Sequence, residues 1–370
     1  MDLKDVKLIE VNTLKEWLSK DIKVTVLDIR ISSDREEWKI PESIHYNVIE
    51  QLKSGDKKAL DNINIDKNIP VVTVCTGGNA SKIAAAVLTD KGFEAYSLKG
   101  GMKAWNYAWD TAEITLGAIK IIQVRRMTKG CLSYILGSGN EAMVIDASLD
   151  PNIYQDIAKE NGWTITQVSD THIHADYVSR TNDLAKATHA RHLMLESTAV
   201  DYKFTPVKNG EELKVGNTRI KVLHTPGHTW ESTSFLIDGM AVFTGDTLFT
   251  DGIGRPDLKA DIEESNKKAS ALYHSLQILS ALNDETLVLA AHVSEPIDIG
   301  QDLIAAPIVE LTKSINALSM MKDTFISSTL ANLPDAPPNY LTIAEINKKG
   351  DAQGYVLADL EAGANHCAIK

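Results

Sequence analysis

Cysteine is scarce. Three occur in 370 residues (Cys75, Cys131 and Cys367), an odd number spread along the chain, so no disulfide framework is expected and a reducing, cytoplasmic setting is. A basic surplus is also absent. Thirty-eight Lys and Arg face 50 Asp and Glu, a formal net charge of −12, which argues against nucleic acid as a partner. The opening MDLKDVKLIE has no basic stretch leading into an apolar run, and no apolar run elsewhere approaches the length of a membrane span. Neither an export leader nor membrane embedding is expected. Internal repeats and low-complexity tracts are missing as well. What remains is ordinary globular composition, 44% hydrophobic and 24% charged, in a chain long enough for two domains with a core each.

The two parts differ in pattern. In residues 1–112, Val24-Thr-Val-Leu-Asp-Ile29 and Val71-Val-Thr-Val74 read as buried strands, and the polar run Lys53 to Asp66 reads as loop. After the second strand comes Cys75-Thr-Gly-Gly-Asn-Ala-Ser81 and then a helical pattern, with Ile83 and Val87, and Ala84 and Leu88, four apart before Gly92. From 118 to 355 the strands Ala142–Asp146, Arg219–His224, Ala241–Thr244 and Leu287–Ala291 each run into a polar, glycine- or histidine-bearing turn. A helix is expected from about Glu263 to Leu279, with Leu272, Leu276 and Leu279 on one face. The join near Trp109 to Gly117 is short, so the domains are expected to pack on each other. The segment after Pro338 reads as folded, and the residues after Glu361 as loose. Cys131 opens an apparent strand and reads as packing; Cys367 receives no role.

Cys75 lies where a strand stops and a helix begins, ahead of two glycines. Backbone N–H groups of such a loop, with the helix N-terminus, favour an anion or a persulfide on the sulfur. Leu27-Asp-Ile-Arg30, Trp38-Lys-Ile-Pro-Glu-Ser-Ile44, the Cys75 loop and Leu98-Lys-Gly-Gly-Met-Lys-Ala-Trp105 occur in order, and together they resemble a single rhodanese domain. The resemblance implies sulfane sulfur carried on Cys75. Rhodanese loops commonly place arginine where Ala80 stands. Without that cation for an oxyanion, exchange with a persulfide is expected in preference to strong thiosulfate activity. A rhodanese module without turnover is the alternative.

Four further segments place His or Asp in turns: Thr171-His-Ile-His-Ala-Asp-Tyr177, His224-Thr-Pro-Gly-His-Thr229, Thr244-Gly-Asp-Thr247 and Ala291-His292. Imidazole and carboxylate are common metal ligands, and burying such groups without a partner is costly, so a metal site is expected. Order and spacing resemble the metallo-β-lactamase fold, an αββα sandwich with its metals at one edge of the sheets. Hydrolases of that fold usually read H-x-H-x-D-H and hold two metals; here Tyr177 occupies the last position. Together with Thr-Gly-Asp-Thr-Leu-Phe249, Gly254-Arg-Pro-Asp-Leu258 and Leu272-Tyr-His-Ser275, these strings resemble the persulfide dioxygenase branch. The resemblance implies one Fe(II) per chain on His172, His228 and Asp246, with His174, Asp176, Tyr177 and His292 around them. It also implies Arg255 and Tyr273 near the thiol substrate. Arg180 stands where that family often has glycine.

The expected reaction is oxidation by O2 of a low-molecular-weight persulfide, glutathione persulfide being the family's usual one, to sulfite and thiol. The rhodanese cysteine would exchange sulfane sulfur with sulfite, thiosulfate or a thiol. A homo-oligomer is expected. Two alternatives stay open: a glyoxalase II-like thioester hydrolase with a dinuclear metal site, and a non-catalytic sulfur carrier or redox sensor.

Overall fold

The N-terminal strands and helices follow from short apolar runs divided by polar turns. In the computed structural model, which describes residues 3–20, 22–293 and 295–370, these are Leu8–Ile9 (β1), Val11–Ser19 (α1), Thr25–Asp28 (β2), Ser32–Glu37 (α2), Ile44–His45 (β3), Ile49–Lys53 (α3), Val71–Val74 (β4), Asn79–Asp90 (α4), Ala95–Leu98 (β5) and Gly101–Trp105 (α5). The five strands form a parallel sheet in the order β1-β5-β4-β2-β3. All four residues of β4 are buried, as expected for a central parallel strand covered on both faces. Against it α4 buries Ala84, Ala85 and Leu88, the alanines allowing close approach. The helix ends before Gly92, whose φ is 84°. The polar run 53–66 is more than surface loop, because Leu60 is fully buried.

The C-terminal part begins with Trp109–Leu116 (β6) and Ile119–Arg126 (β7), a hairpin turning at Gly117 and Ala118. Leu132–Ser138 (β8), Glu141–Ile145 (β9), Pro151–Glu160 (α6), Thr164–Ser169 (β10), Thr181–Thr188 (α7), Arg191–Leu195 (β11) and Thr205–Val207 (β12) follow. Their sheet runs β12-β11-β10-β9-β8-β7-β6. A second sheet, β13-β14-β15-β16-β18-β19, uses Glu212–Val215 (β13), Thr218–His224 (β14), Thr233–Ile237 (β15), Ala241–Gly245 (β16), Leu287–Ala290 (β18) and Ala306–Pro307 (β19). Ile253–Gly254 (β17) and Ile262–Ser280 (α8) lie between β16 and β18; Ile308–Ser314 (α9), Lys322–Ala331 (α10), Tyr340–Lys349 (α11), Leu357–Leu360 (α12) and Ala368–Ile369 (β20) close the chain. Leu136, Met143 and Ile145 of one sheet share a core with Val222, Phe235 and Phe243 of the other, and the Tyr134 and Phe243 rings meet at 4.7 Å.

Two features depart from the sequence reading. The join expected near Trp109 to Gly117 is itself strand β6 and its turn, because β6 pairs along its length with β7; the second sheet starts at Trp109. The residues after Glu361 are not loose. Asn365, Cys367 and Ile369 are buried, and β20 pairs with β17. The domains pack on each other as expected, since Val72, Leu98, Met102 and Trp105 belong to the same apolar cluster as the sandwich. Polar bridges add to this: Asn106 Nδ2 donates to the Glu361 carbonyl, Arg126 Nε donates to the Asn106 carbonyl, and Lys103 pairs with Asp359.

Candidate metal centre and sulfur site

Strands β14, β16 and β18 run the same way in their sheet, with antiparallel β15 between the first two. Their C-terminal ends therefore open on one edge, where the ladder stops and turn residues are free to aim side chains. β10 of the other sheet ends there too. His228 follows β14, Asp246 follows β16, His292 follows β18 and His172 follows β10. Gly245 makes the third turn possible: its φ is +55°, and a Cβ there would press on Thr171.

His172, His228 and Asp246 are 1–2% exposed, with one donor atom each inside a group no wider than 4.8 Å. Asp246 Oδ2 is 3.6 Å from both His172 Nε2 and His228 Nε2. The network assigns the tautomers. His228 Nδ1 donates to the Arg255 carbonyl at 2.8 Å. The Thr171 hydroxyl donates to Asp146, so it accepts from His172 Nδ1 at 2.9 Å. Both Nε2 atoms thus turn lone pairs inward. His172 Nε2 and Asp246 Oδ2 are buried with no hydrogen-bond partner among the described residues. Burial holds both imidazoles below their ordinary pKa. Burial opposes ionisation of Asp246, but the facing imidazoles of His292, His172 and His228 together outweigh it and hold the carboxyl well below the usual range. Two neutral imidazole nitrogens and one carboxylate oxygen facing an otherwise unsatisfied point fit a metal cation and little else.

The surrounding groups fix these donors. Asp146, at φ 56° just beyond β9, accepts from Thr171 N at 2.7 Å and bonds His174 Nε2 at 3.0 Å. That left-handed backbone costs about 1–2 kcal/mol and is held by the bonds it makes. His174 lies outside the compact group, its Nε2 shared between Asp146 and the Tyr177 hydroxyl. The Tyr177 hydroxyl is 2.8 Å from that nitrogen and donates to the Asp146 carbonyl, which turns the phenol oxygen away from the donor set. His292 Nδ1 donates to Asp246 Oδ1 at 2.6 Å, and its Nε2 lies 2.8 Å from Asp176 Oδ2. Sequence reasoning gave Asp146 no role at the site; its position at a strand end was the only local signal.

Two residues expected near the substrate are engaged by other groups of the protein. Arg255 is 1% exposed and committed: Nε and Nη2 bind the two Asp257 oxygens at 2.8 Å, and Nη1 donates to the Asp335 and His366 carbonyls. Its guanidinium is thus a structural clamp, and only its carbonyl serves the centre, through His228. Tyr273 packs on Phe325 of α10, ring centroids 5.5 Å apart. The cleft that His228 lines is about 210 Å³ and is walled by Trp230, by Lys259, Lys268 and Lys348, and by Glu231 and Glu264. Lys268 is 5% exposed, and burial lowers its pKa. These lysines come from α8, α11 and the loop before α8, so no local motif announced them.

Cys75 lies at the other site. Its sulfur accepts from Gly78 N at 3.2 Å and Ser81 N at 3.3 Å, and lies 3.4 Å from the Ser81 hydroxyl. The segment at the start of α5 supports the loop: Met102 N and Lys103 N donate to the Cys75 and Thr76 carbonyls. Gly101 is required there, because φ is +58° and a Cβ would collide with the Cys75 carbonyl. Ala80 is buried in the first turn of α4, and no cation is hydrogen-bonded to the sulfur among the described residues.

Residues 10–108 match the rhodanese-like domain family, and residues 127–292 match the metallo-beta-lactamase superfamily. The chain joins a rhodanese-like domain to a metallo-β-lactamase domain. Hydroxyacylglutathione hydrolases from Brucella anthropi and Methylococcus capsulatus resemble the second domain. The first is 38% identical over 138 residues (36% of this chain, 50% of the relative), the second 34% over 162 residues (42% and 58%). The chain spans about half the length of the curated relatives it matches. A metallo-β-lactamase from Staphylococcus aureus superposes with a TM-score of 0.59 at 29% identity, over 65% of this chain and 76% of that one. ETHE1 from Myxococcus xanthus gives 0.53 at 27% identity, over 65% and 98%. The metallo-β-lactamase domain thus has a metal-binding enzyme fold, with its compact donor group at the strand ends. No helix among the described residues is long and apolar enough to cross a membrane.

Proposed function

We propose that the metallo-β-lactamase domain is a persulfide dioxygenase with one Fe(II) per chain, and that the rhodanese-like domain carries sulfane sulfur on Cys75. The observation that carries this reading is the donor set itself. Two inward imidazole lone pairs and one carboxylate oxygen surround a single point, while the phenol of Tyr177 is tied to Asp146 and His174. His172, His228 and Asp246 would hold Fe(II), which when bound would supply the electrons for O2 activation. The net reaction is R–S–SH + O2 + H2O giving R–SH, sulfite and two protons. The chain's own residues do the rest. Lys259, Lys268 and Lys348 draw an anionic thiol carrier into the cleft, and Trp230 gives it an apolar wall. Asp146 with Thr171, and Arg255 through its carbonyl, hold the imidazoles as neutral donors.

On the other domain, the N–H groups of Gly78 and Ser81 stabilise negative charge on Cys75 sulfur or on a persulfide built from it. Sulfur moves by attack of a thiolate or sulfite on the outer sulfur, which returns the Cys75 thiolate. The missing arginine at Ala80 favours persulfide over thiosulfate as donor.

A second reading is a glyoxalase II-like hydrolase, favoured by the hydroxyacylglutathione hydrolases among the relatives. It needs a second metal bridged to the first, at a position where residue 177 ordinarily brings an imidazole; Tyr177 weakens it. Metal analysis beside an oxygen electrode decides. One iron per chain, with O2 consumed and sulfite formed from glutathione persulfide, is the expected result. Two metals, hydrolysis of a glutathione thioester and no O2 uptake select the hydrolase. Turnover of neither compound, with persulfide still carried on Cys75, leaves only a sulfur carrier.

A further inference from the structure

The last ten residues run behind the metal donors. Glu361, fully buried, starts the segment: its carboxylate accepts from Arg126 Nη1 at 2.7 Å and Val178 N at 3.1 Å, while its carbonyl accepts from Asn106 of the rhodanese-like domain. At the far end, β20 pairs with β17 in the register Ile253↔Ile369 and Gly254↔Ala368. Arg255 N donates to the Cys367 carbonyl. Between these two anchors sits Asn365, 7% exposed.

Both ends of the Asn365 amide are engaged, which fixes its orientation. Oδ1 accepts from Cys367 N at 2.8 Å, and Nδ2 donates to Asp176 Oδ2 at 2.8 Å. That same Asp176 oxygen faces His292 Nε2 at 2.8 Å, and His292 Nδ1 donates to Asp246 Oδ1 at 2.6 Å. The remaining Asp246 oxygen is the one turned to His172 and His228. The His292–Asp176 contact is an ion pair outside hydrogen-bond geometry, so four side chains form a line of two hydrogen bonds and one ion pair from the tail to a metal donor. A second line leads to another donor, since the Arg255 backbone held by the tail presents the carbonyl that orients His228. Removing outer groups of this kind commonly lowers metal affinity although they never touch the ion.

We propose that Asn365 is a positioning residue for the metal centre, acting through Asp176 and His292 to set the orientation of Asp246. The proposal concerns the centre's metal affinity and ligand field, and holds whichever reaction the centre performs. Failure of the test below would leave the oxygen-electrode result on the parent chain untouched.

Co(II) alone, titrated into the metal-free full chain, is the probe, read by affinity and by the visible absorption of the bound ion. Asn365→Asp keeps the oxygen facing Cys367 N and replaces the donor to Asp176 with a carboxylate. Asn365→Ala removes the donor without adding charge. Both are expected to lose about 10–100-fold in affinity and to shift the absorption of whatever Co(II) they bind. Asp176→Asn breaks the same line one step nearer the metal, so adding Asn365→Ala to it is expected to cost less than twofold further. Affinity within twofold of the parent and an unchanged spectrum in either folded single variant overturn the proposal. So does a folded double variant whose affinity falls as far below that of Asp176→Asn as Asn365→Ala falls below the parent, since that makes the loss a general effect of disturbing the tail.

Discussion

Replacing Glu361 with glutamine tests the joint between the domains. Arg126 and Glu361 are both 0% exposed, at 2.7 Å, and Arg180 Nη2 lies 3.9 Å from the other carboxylate oxygen. The Tyr107 ring, 4.5 Å from the Arg126 guanidinium carbon, offers only a weak counter-charge. Arg126 Nη2 has no hydrogen-bond partner among the described residues, so the carboxylate is the main compensation for that cation. Glutamine keeps the size and an acceptor for Val178 N but removes the charge. Breaking one side of a buried pair costs about 3–5 kcal/mol, because the abandoned ion stays desolvated. The cost should appear in urea melts followed by circular dichroism as a lower midpoint with little change in slope. Arg126→Met together with Glu361→Leu removes both charges and is expected to recover most of the loss, since a buried pair is about neutral against apolar groups of similar size. A loss under about 1 kcal/mol for Glu361→Gln, the range of exposed pairs, would refute the reasoning. It would mean that water or a shift of Arg126 relieves the charge.

Further expectations concern single sites. Asp246→Asn should abolish tight metal binding, and metal analysis finding parent-like content would remove Asp246 from the donor set. Cys75→Ser should eliminate sulfur transfer to cyanide or a thiol while persulfide-dependent O2 uptake continues; loss of uptake in a folded variant would contradict two separate sites. Lys268→Met keeps the buried aliphatic stem but not the charge, and should raise KM for an anionic persulfide about tenfold, ~1.4 kcal/mol, with kcat little changed. An unaltered KM would take Lys268 out of substrate binding. His192 is buried, both ring nitrogens lack partners among the described residues, and burial with nearby Lys186 lowers its pKa to about 4. The unfolded chain takes up that proton first, so stability is intact above about pH 6.5 and falls by roughly 3 kcal/mol as the pH drops toward 4. His192→Gln should flatten that limb of urea midpoint against pH, and an unchanged slope would show that other groups set it.

Much of the candidate site was legible because turns after strands are local features. The histidine and aspartate strings needed only their own neighbours to read as turn-borne donors, and the Cys75 loop needed only its strand, glycines and helix. The direction of a long side chain is another matter. Arg255 sits in a string that suggests a substrate contact, yet Asp257, Asp335 and the His366 carbonyl take its donors; two of those partners are 80 and 111 residues away. Tyr273 likewise follows the packing of α8 on α10.

By itself the sequence determined which chemistry is present: a thiol before a glycine turn, and imidazoles and carboxylates at strand ends, each encoded within a few residues. Only the tertiary structure decided which of those groups share a point in space, that Lys268 and Lys348 wall the cleft, and that the last ten residues reach Asp176 and the Arg255 backbone. Those relations depend on strand pairings and helix contacts between distant segments, and backbone preference within one segment carries no information about them.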